Sequence, residues 1–212
     1  MSIRICLGGR IGAGKTSVAR LLEDQYGFQR FSFVTPIREE ICSSFGVTME
    51  ELTEPGKKER YRSLLVAWGP ARNVSTGDDY YWAKRLLERL PEHVDIVVDD
   101  LRRQEEFDYL RAQGQRQGPD AWPDAWVLVW LDQPKRRCLE YLRMNGVTDT
   151  RQLQETVAAV TEVSLLPYVA QRKFDIMLDA ARPPVDILHD LEQCLRDLDI
   201  SIDDPDRQVH RC

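Results

Sequence analysis

The segment Ile3-Arg4-Ile5-Cys6-Leu7-Gly8-Gly9-Arg10-Ile11-Gly12-Ala13-Gly14-Lys15-Thr16-Ser17-Val18 passes from a short apolar run, through a cluster of glycines, into a helical pattern. The apolar run predicts a buried strand, and Val18, Leu21 and Leu22 recur at the spacing of one helix face. Between them, Gly9 to Thr16 satisfies GxxxxGK(S/T) in full, and the motif lies between strand and helix as its mechanism requires. Glycines let such a loop curl with its N–H groups inward, and the helix that follows adds a partly positive N-terminus. The expected ligand is a polyphosphate. Gly9, Arg10, Ile11, Gly12, Ala13 and Gly14 would cradle it, Lys15 would bridge its β- and γ-phosphates, and the Thr16 hydroxyl would ligate Mg²⁺. Ser17 is expected to donate to the α-phosphate. The triphosphate implied is ATP.

Outward from this loop, strand and helix patterns alternate. Gly27 ends the first helix, 28–34 reads as a second strand, and Pro36 opens a helix carrying Ile37, Ile41, Cys42 and Phe45. Residues 47–60 are charged and contain Pro55-Gly56, which reads as a turn or excursion. Helices are predicted over 61–68, stopped by Gly69-Pro70, and over 79–90, stopped by Pro91. Residues 94–98 form the clearest buried strand and end in Asp99-Asp100. A helix over 105–112 precedes a Gly-, Pro- and Gln-rich loop at 114–124. A strand at 126–131, helices at 135–144 and 153–164, a strand at 174–178 and a helix at 185–198 complete the pattern. Alternation of this kind predicts a parallel sheet with right-handed crossovers, with ligands at the carboxyl ends of its strands.

Bulk composition narrows the partners. With 42% hydrophobic and 30% charged residues, the chain can bury a core. A net charge of -6 argues against a general nucleic-acid binder but not against a small phosphate ester held by local arginines. The five cysteines are scattered and odd in number, which suits a reducing cytoplasm better than a disulfide framework or zinc site. Neither a signal-peptide pattern nor a membrane span is read, so the expected location is cytoplasmic. The chain is expected to be a monomer or homodimer, with no nucleic-acid or membrane partner.

Beyond the loop, 27–33 (Gly-Phe-Gln-Arg-Phe-Ser-Phe) and Thr35-Pro36-Ile37-Arg38 resemble the second strand and following helix of bacteriophage-type deoxynucleoside monophosphate kinases. Animal phosphomevalonate kinases are similar. Leu64-Leu65, Trp68-Gly69 and Arg72 look like that family's helix ending in glycine and arginine. Asp79, Tyr81 and Trp82 resemble its acidic-aromatic segment. Val97-Val98-Asp99-Asp100-Leu101-Arg102, with Glu106, resembles its strand ending in Asp-x-Arg and a later acid, and 174–179 its last strand. The sequence departs from the pattern in three places. Arg38 stands where lysine is frequent, Arg103-Gln104-Glu105 replaces Phe-Pro-Asn, and a His-x-Ser-Glu segment is missing.

The resemblance implies an α/β fold of the P-loop NTPase type, three-layer α/β/α around a five-stranded parallel sheet, nucleotide kinase-like. It implies one kinase domain over 1–200, an acceptor-binding segment at about 36–90, a lid at about 133–165 and a flexible tail at 201–212. ATP and Mg²⁺ would serve a small phosphorylated acceptor, foremost a nucleoside monophosphate. Phosphomevalonate, dephospho-coenzyme A or a nucleotide-driven switch are the alternatives. Arg38, Arg72 and Arg102 are candidate acceptor-phosphate ligands, because a guanidinium fork matches phosphate oxygens. Asp79, Trp82 and Glu106 join them by resemblance. Asp100, matching the family's aspartate, is the preferred second Mg²⁺ group beside Thr16, although Asp99 and Asp100 also read as helix-capping acids. Lys135-Arg136-Arg137 and Arg143 read either as lid cations that stabilise the transferring phosphoryl group or as a solvated helix face. Trp68, Tyr80, Tyr81 and Trp82 read as core or as a base-stacking cluster.

Overall fold

A strand buried on both faces needs apolar side chains on both, and Ile5, Cys6 and Leu7 are each fully buried. The protein is described as a computed structural model over residues 2–54, 57–114 and 126–202. Its elements run β1 (Arg4–Gly9), α1 (Lys15–Tyr26), β2 (Gln29–Phe31), α2 (Val34–Phe45), α3 (Met49–Thr53) and α4 (Arg62–Thr76). There follow α5 (Tyr81–Leu87), β3 (Ile96–Leu101), α6 (Gln104–Gly114), β4 (Trp126–Asp132), α7 (Lys135–Met144) and α8 (Thr150–Ala158). The chain continues through α9 (Val160–Val163), α10 (Leu166–Ala170), β5 (Ile176–Asp179) and α11 (Pro184–Asp197).

The strands form one five-stranded sheet in the order β2-β3-β1-β4-β5, with parallel pairing throughout. β1 is central. Gly8 pairs with Leu101 of β3 and Gly9 with Leu131 of β4, so the exits of β1, β3 and β4 lie side by side. On one face α1 and α11 bury Val18, Leu22, Leu188 and Leu191 against Ile5, Leu7 and Val129. On the other, Ala83, Leu86, Phe107 and Leu110 cover Cys6, Val98, Leu128 and Trp130. This is the three-layer α/β/α sandwich of P-loop kinases. A smaller cluster of Cys138, Leu142, Leu153 and Val157 closes α7 on α8, with Ile11 of the glycine loop packed against it.

The structure corrects several local expectations. Gly69-Pro70 does not stop a helix, because α4 runs through it with Pro70 inside. An interior proline forfeits one helical hydrogen bond, at about 3 kcal/mol. Tertiary contacts offset that here: Gly69 is buried, and its carbonyl accepts from Trp82 Nε1 at 3.0 Å. The charged excursion at 47–60 contains α3, started by a reciprocal Thr48–Glu51 capping box and anchored by the fully buried Leu52. The second strand is shorter than its apolar run, because Ser32, Phe33 and Val34 leave the ladder to bond Asp100. The helix expected at 153–164 breaks at Ala159, whose ψ is 146°. On either side Val157 packs on α7 and Leu165 under the sheet. The predicted loop after Gly114 and the tail from 203, with Cys212, lie outside the described residues. Among the described residues no helix is long and apolar enough to cross a membrane.

Candidate active site

The glycine loop leaves β1 and turns back at Ala13, whose N–H donates to the Arg10 carbonyl at 3.2 Å. Gly12 and Gly14 adopt φ of +77° and +80°, a region that L side chains rarely occupy. A Cβ at Gly12 would also come within 2.8 Å of the Tyr141 ring. Gly14 starts α1 without a side-chain cap, and the first bond inside the helix is Val18 N–H to Gly14 O at 2.9 Å. The amides of Lys15, Thr16 and Ser17 precede that bond and have no carbonyl within the helix to meet. They face a cavity that the exposed Thr16 and Ser17 side chains also line. An uncapped helix start opening on a cavity is an anion site.

Lys15 is 7% exposed. Its ammonium donates to the carbonyls of Gly9 at 2.6 Å and Arg10 at 3.0 Å. Burial, aided by the Arg102 charge, pushes its pKa down to about 7. A triphosphate would supply the missing counter-charge.

The cavity has a volume of about 1240 Å³ and is lined by eight arginines and Lys15 against three carboxylates, Asp99, Asp100 and Glu106. On a chain of net charge -6 this is a strong local reversal of sign. Arg38 lines it, with Nε buried and without a hydrogen-bond partner and its guanidinium pKa lowered by burial. Arg102 also lines the cavity and is ion-paired to Glu162. Glu106 takes the amides of Arg102 and Arg103 at 2.9 and 3.0 Å. It thereby fixes the backbone from which both arginines project. Burial raises its carboxyl pKa to about 7.

Asp100 accepts the Ser32 hydroxyl at 2.5 Å and the amides of Phe33 and Val34 at 2.8 and 3.1 Å. It caps α2, not the helix that follows it in sequence. Burial, the largest effect, raises its pKa. Asp99 is ion-paired to Arg30 at 3.8 Å. Among the described residues no three His, Cys, Asp or Glu side chains gather to hold a metal. A Mg²⁺ ion here would rely on the exposed Thr16 hydroxyl, an aspartate at the end of β3 and phosphate oxygens. That donor set suits this cation, which keeps several waters and takes few protein ligands.

Other expected residues fall elsewhere. Arg72 pairs with Glu40 at 2.8 Å and lies over the Tyr81 ring, away from the cavity lining. Asp79 is exposed and also outside it. Trp82 is a core residue, 6% exposed. Neither Trp82 nor Trp68, Tyr80 or Tyr81 reaches the cavity, whose apolar walls include Phe31, Phe33, Ile37, Leu65 and Val66. Of the α7 cations, Arg137 lines the cavity while Arg136 and Arg143 point to solvent. Arg103 and Gln133, which line the cavity, and Glu162, which pairs with Arg102, were not legible as site residues. Each is an ordinary surface-type residue in sequence and becomes part of the site only through packing.

No protein-family model matches the sequence, and no curated protein matches it. Solved structures do share the fold. A shikimate kinase from Aquifex aeolicus aligns at 16% identity and TM-score 0.52, covering 93% of this chain and 98% of the other. A gluconokinase from Sinorhizobium meliloti aligns at 18% identity and TM-score 0.50, covering 92% and 93%. A shikimate kinase from Acinetobacter baumannii, in complex with shikimate, aligns at 14% identity and TM-score 0.56, covering 93% and 95%. At these identities the likeness establishes the P-loop kinase fold.

Proposed function

We propose that this protein is an ATP-dependent phosphotransferase whose acceptor is itself phosphorylated, foremost a nucleoside monophosphate. The observation that carries the reading is the continuity of the cavity. It joins the glycine loop to a second cationic end formed by Arg38, Arg62 and Arg103. At about 1240 Å³ it exceeds the ~300–1,000 Å³ that accommodates one drug-sized ligand. Two anionic molecules brought together need their repulsion neutralised, which explains why the arginines gather there.

In this reading the loop amides and Lys15 hold the ATP phosphates, and Arg38 with Arg103 holds the acceptor phosphate. Arg102 lies between the two ends. Mg²⁺, when bound, neutralises charge on the β- and γ-phosphates, and Thr16 with Asp99 would hold it. Asp99 is preferred to Asp100 because Asp100 is already engaged by three donors at the entry to α2, from Ser32, Phe33 and Val34. α2 and α4 supply the acceptor walls, which supports the acceptor-binding segment at about 36–90. Arg137, Tyr141 and Thr161 line the loop side, which supports a lid at about 133–165 that excludes water on closure.

One observation favours a second acceptor class. The Trp68, Tyr80, Tyr81 and Trp82 cluster lies outside the cavity, and Ile37, Leu65 and Val66 stand beside Phe31 and Phe33 in its wall, which also fits a phosphorylated metabolite without a base. ADP release with purified protein, ATP and Mg²⁺ separates the two. Nucleoside monophosphates, phosphomevalonate, dephospho-coenzyme A and no acceptor are compared. Strong stimulation by one nucleoside monophosphate is expected. Stimulation by a baseless phosphate ester selects the second class, and acceptor-independent release overturns both.

A further inference from the structure

Glu162 has no part in the chemistry above, yet it contacts both the glycine loop and Arg102. It is 7% exposed. One oxygen accepts the Ile11 amide of the glycine loop at 2.6 Å, and the other is ion-paired to Arg102 Nη1. A loop amide and an arginine converging on one anion form the donor set that recognises a phosphoryl group. Here the protein's own carboxylate fills it. Glu162 reaches this place on α9, a four-residue helix set off by the extended Ala159. Its neighbour Thr161 lines the same cavity.

We infer that Glu162 is an internal competitor for the phosphate site, which a polyphosphate must displace and which thereby sets the affinity and charge selectivity of that site. The inference rests on the phosphate-site reading above. A buried carboxylate with two good donors is stable, and removing it without replacement would leave Arg102 and the Ile11 amide unpaired. A phosphate supplies the replacement. With a multiply charged phosphate on Arg102, like-charge repulsion drives Glu162 away from the loop. A weak anion of single charge gains too little to exchange places. The motion this requires is confined to the short segment between α8 and α10.

Inorganic pyrophosphate, titrated calorimetrically into the full chain, tests the inference without requiring turnover. Wild type, Glu162→Gln and Glu162→Ala are compared at one salt concentration, with far-UV circular dichroism reporting the fold. Both variants are expected to bind pyrophosphate about 10-fold tighter or more, the worth of one charge-assisted hydrogen bond. Equal or weaker binding overturns the inference and makes Glu162 a group that positions Arg102. Hydrogen exchange on the wild-type protein gives an independent readout should the variants fold poorly. Pyrophosphate should lower protection over 160–165 while raising it over 11–17. Unchanged or increased protection over 160–165 refutes displacement. Absence of pyrophosphate binding in all three proteins would instead overturn the phosphate site itself.

Discussion

Two buried ionisable residues give the site a pH signature that can be read without knowing the acceptor. Lys15 has a pKa near 7 in the fold, against 10.5 ordinarily. The unfolded chain therefore holds more protons between those values, and stability rises with pH across that window. Glu106 behaves oppositely. Its pKa climbs from 4.5 to about 7, so the folded chain holds the extra proton and stability falls as pH rises from 4.5 to 7. Thermal melts of the ligand-free protein should show Glu106→Gln flattening the lower arm and Lys15→Ala flattening the upper one. Unaltered profiles would mean that neither group is buried as described. On the proposed function, Lys15→Ala should also keep the fold while turnover drops by orders of magnitude, because the cation that would bridge the reacting phosphates is lost. A steady-state assay at saturating ATP and Mg²⁺ checks this.

At the scale of elements, neighbouring aspartates on β3 have different surroundings. Asp100 ties the start of α2 to the sheet through the Ser32 hydroxyl and two amides. Replacing it with alanine should cost about 1–3 kcal/mol, the range for a lost cap and buried donors left unmet, measured by urea denaturation. Asp99→Asn should leave the denaturation midpoint nearly unchanged and raise the Mg²⁺ concentration needed for half-maximal turnover. The reverse pattern would return the metal role to Asp100. The same contact explains why β2 is short, since side-chain capping competes with the strand ladder for Phe33 and Val34. α4 makes a related point. Proline propensity argues for a stop at Pro70, and the Trp82 bond to the Gly69 carbonyl, with burial of Gly69, carries the helix past it.

The whole molecule carries a net charge of -6 around a cavity whose lining is cationic. On the proposed reading, a bound polyanion would add favourable pairing with these cations. ATP with Mg²⁺ at 100 times its Kd should stabilise the fold by about 2.7 kcal/mol, raising the midpoint of thermal unfolding by roughly 5 °C or more. The shift should shrink at high salt through screening. Differential scanning fluorimetry measures it, and a salt-independent shift would point to an apolar ligand mode. The phosphate loop and the alternation of strands and helices were legible because they depend on contiguous residues. Backbone curvature needs glycines at set spacing, and a buried strand needs an unbroken apolar run. Lys15, Thr16, Arg38, Arg102 and Glu106 were singled out that way, through motif or resemblance, and all five line the cavity. Sequence alone determined that a glycine loop of the phosphate-binding pattern joins the first strand of a parallel sheet to the first helix, and the fold placed that strand at the centre. Only the tertiary structure decided which charges face that loop. Arg103 and Arg62 line the cavity from separate segments and Glu162 meets the glycine loop and Arg102, whereas Arg72, Arg136 and Arg143 point away. A side chain's partner is set by packing between distant segments, and neither spacing nor composition encodes it.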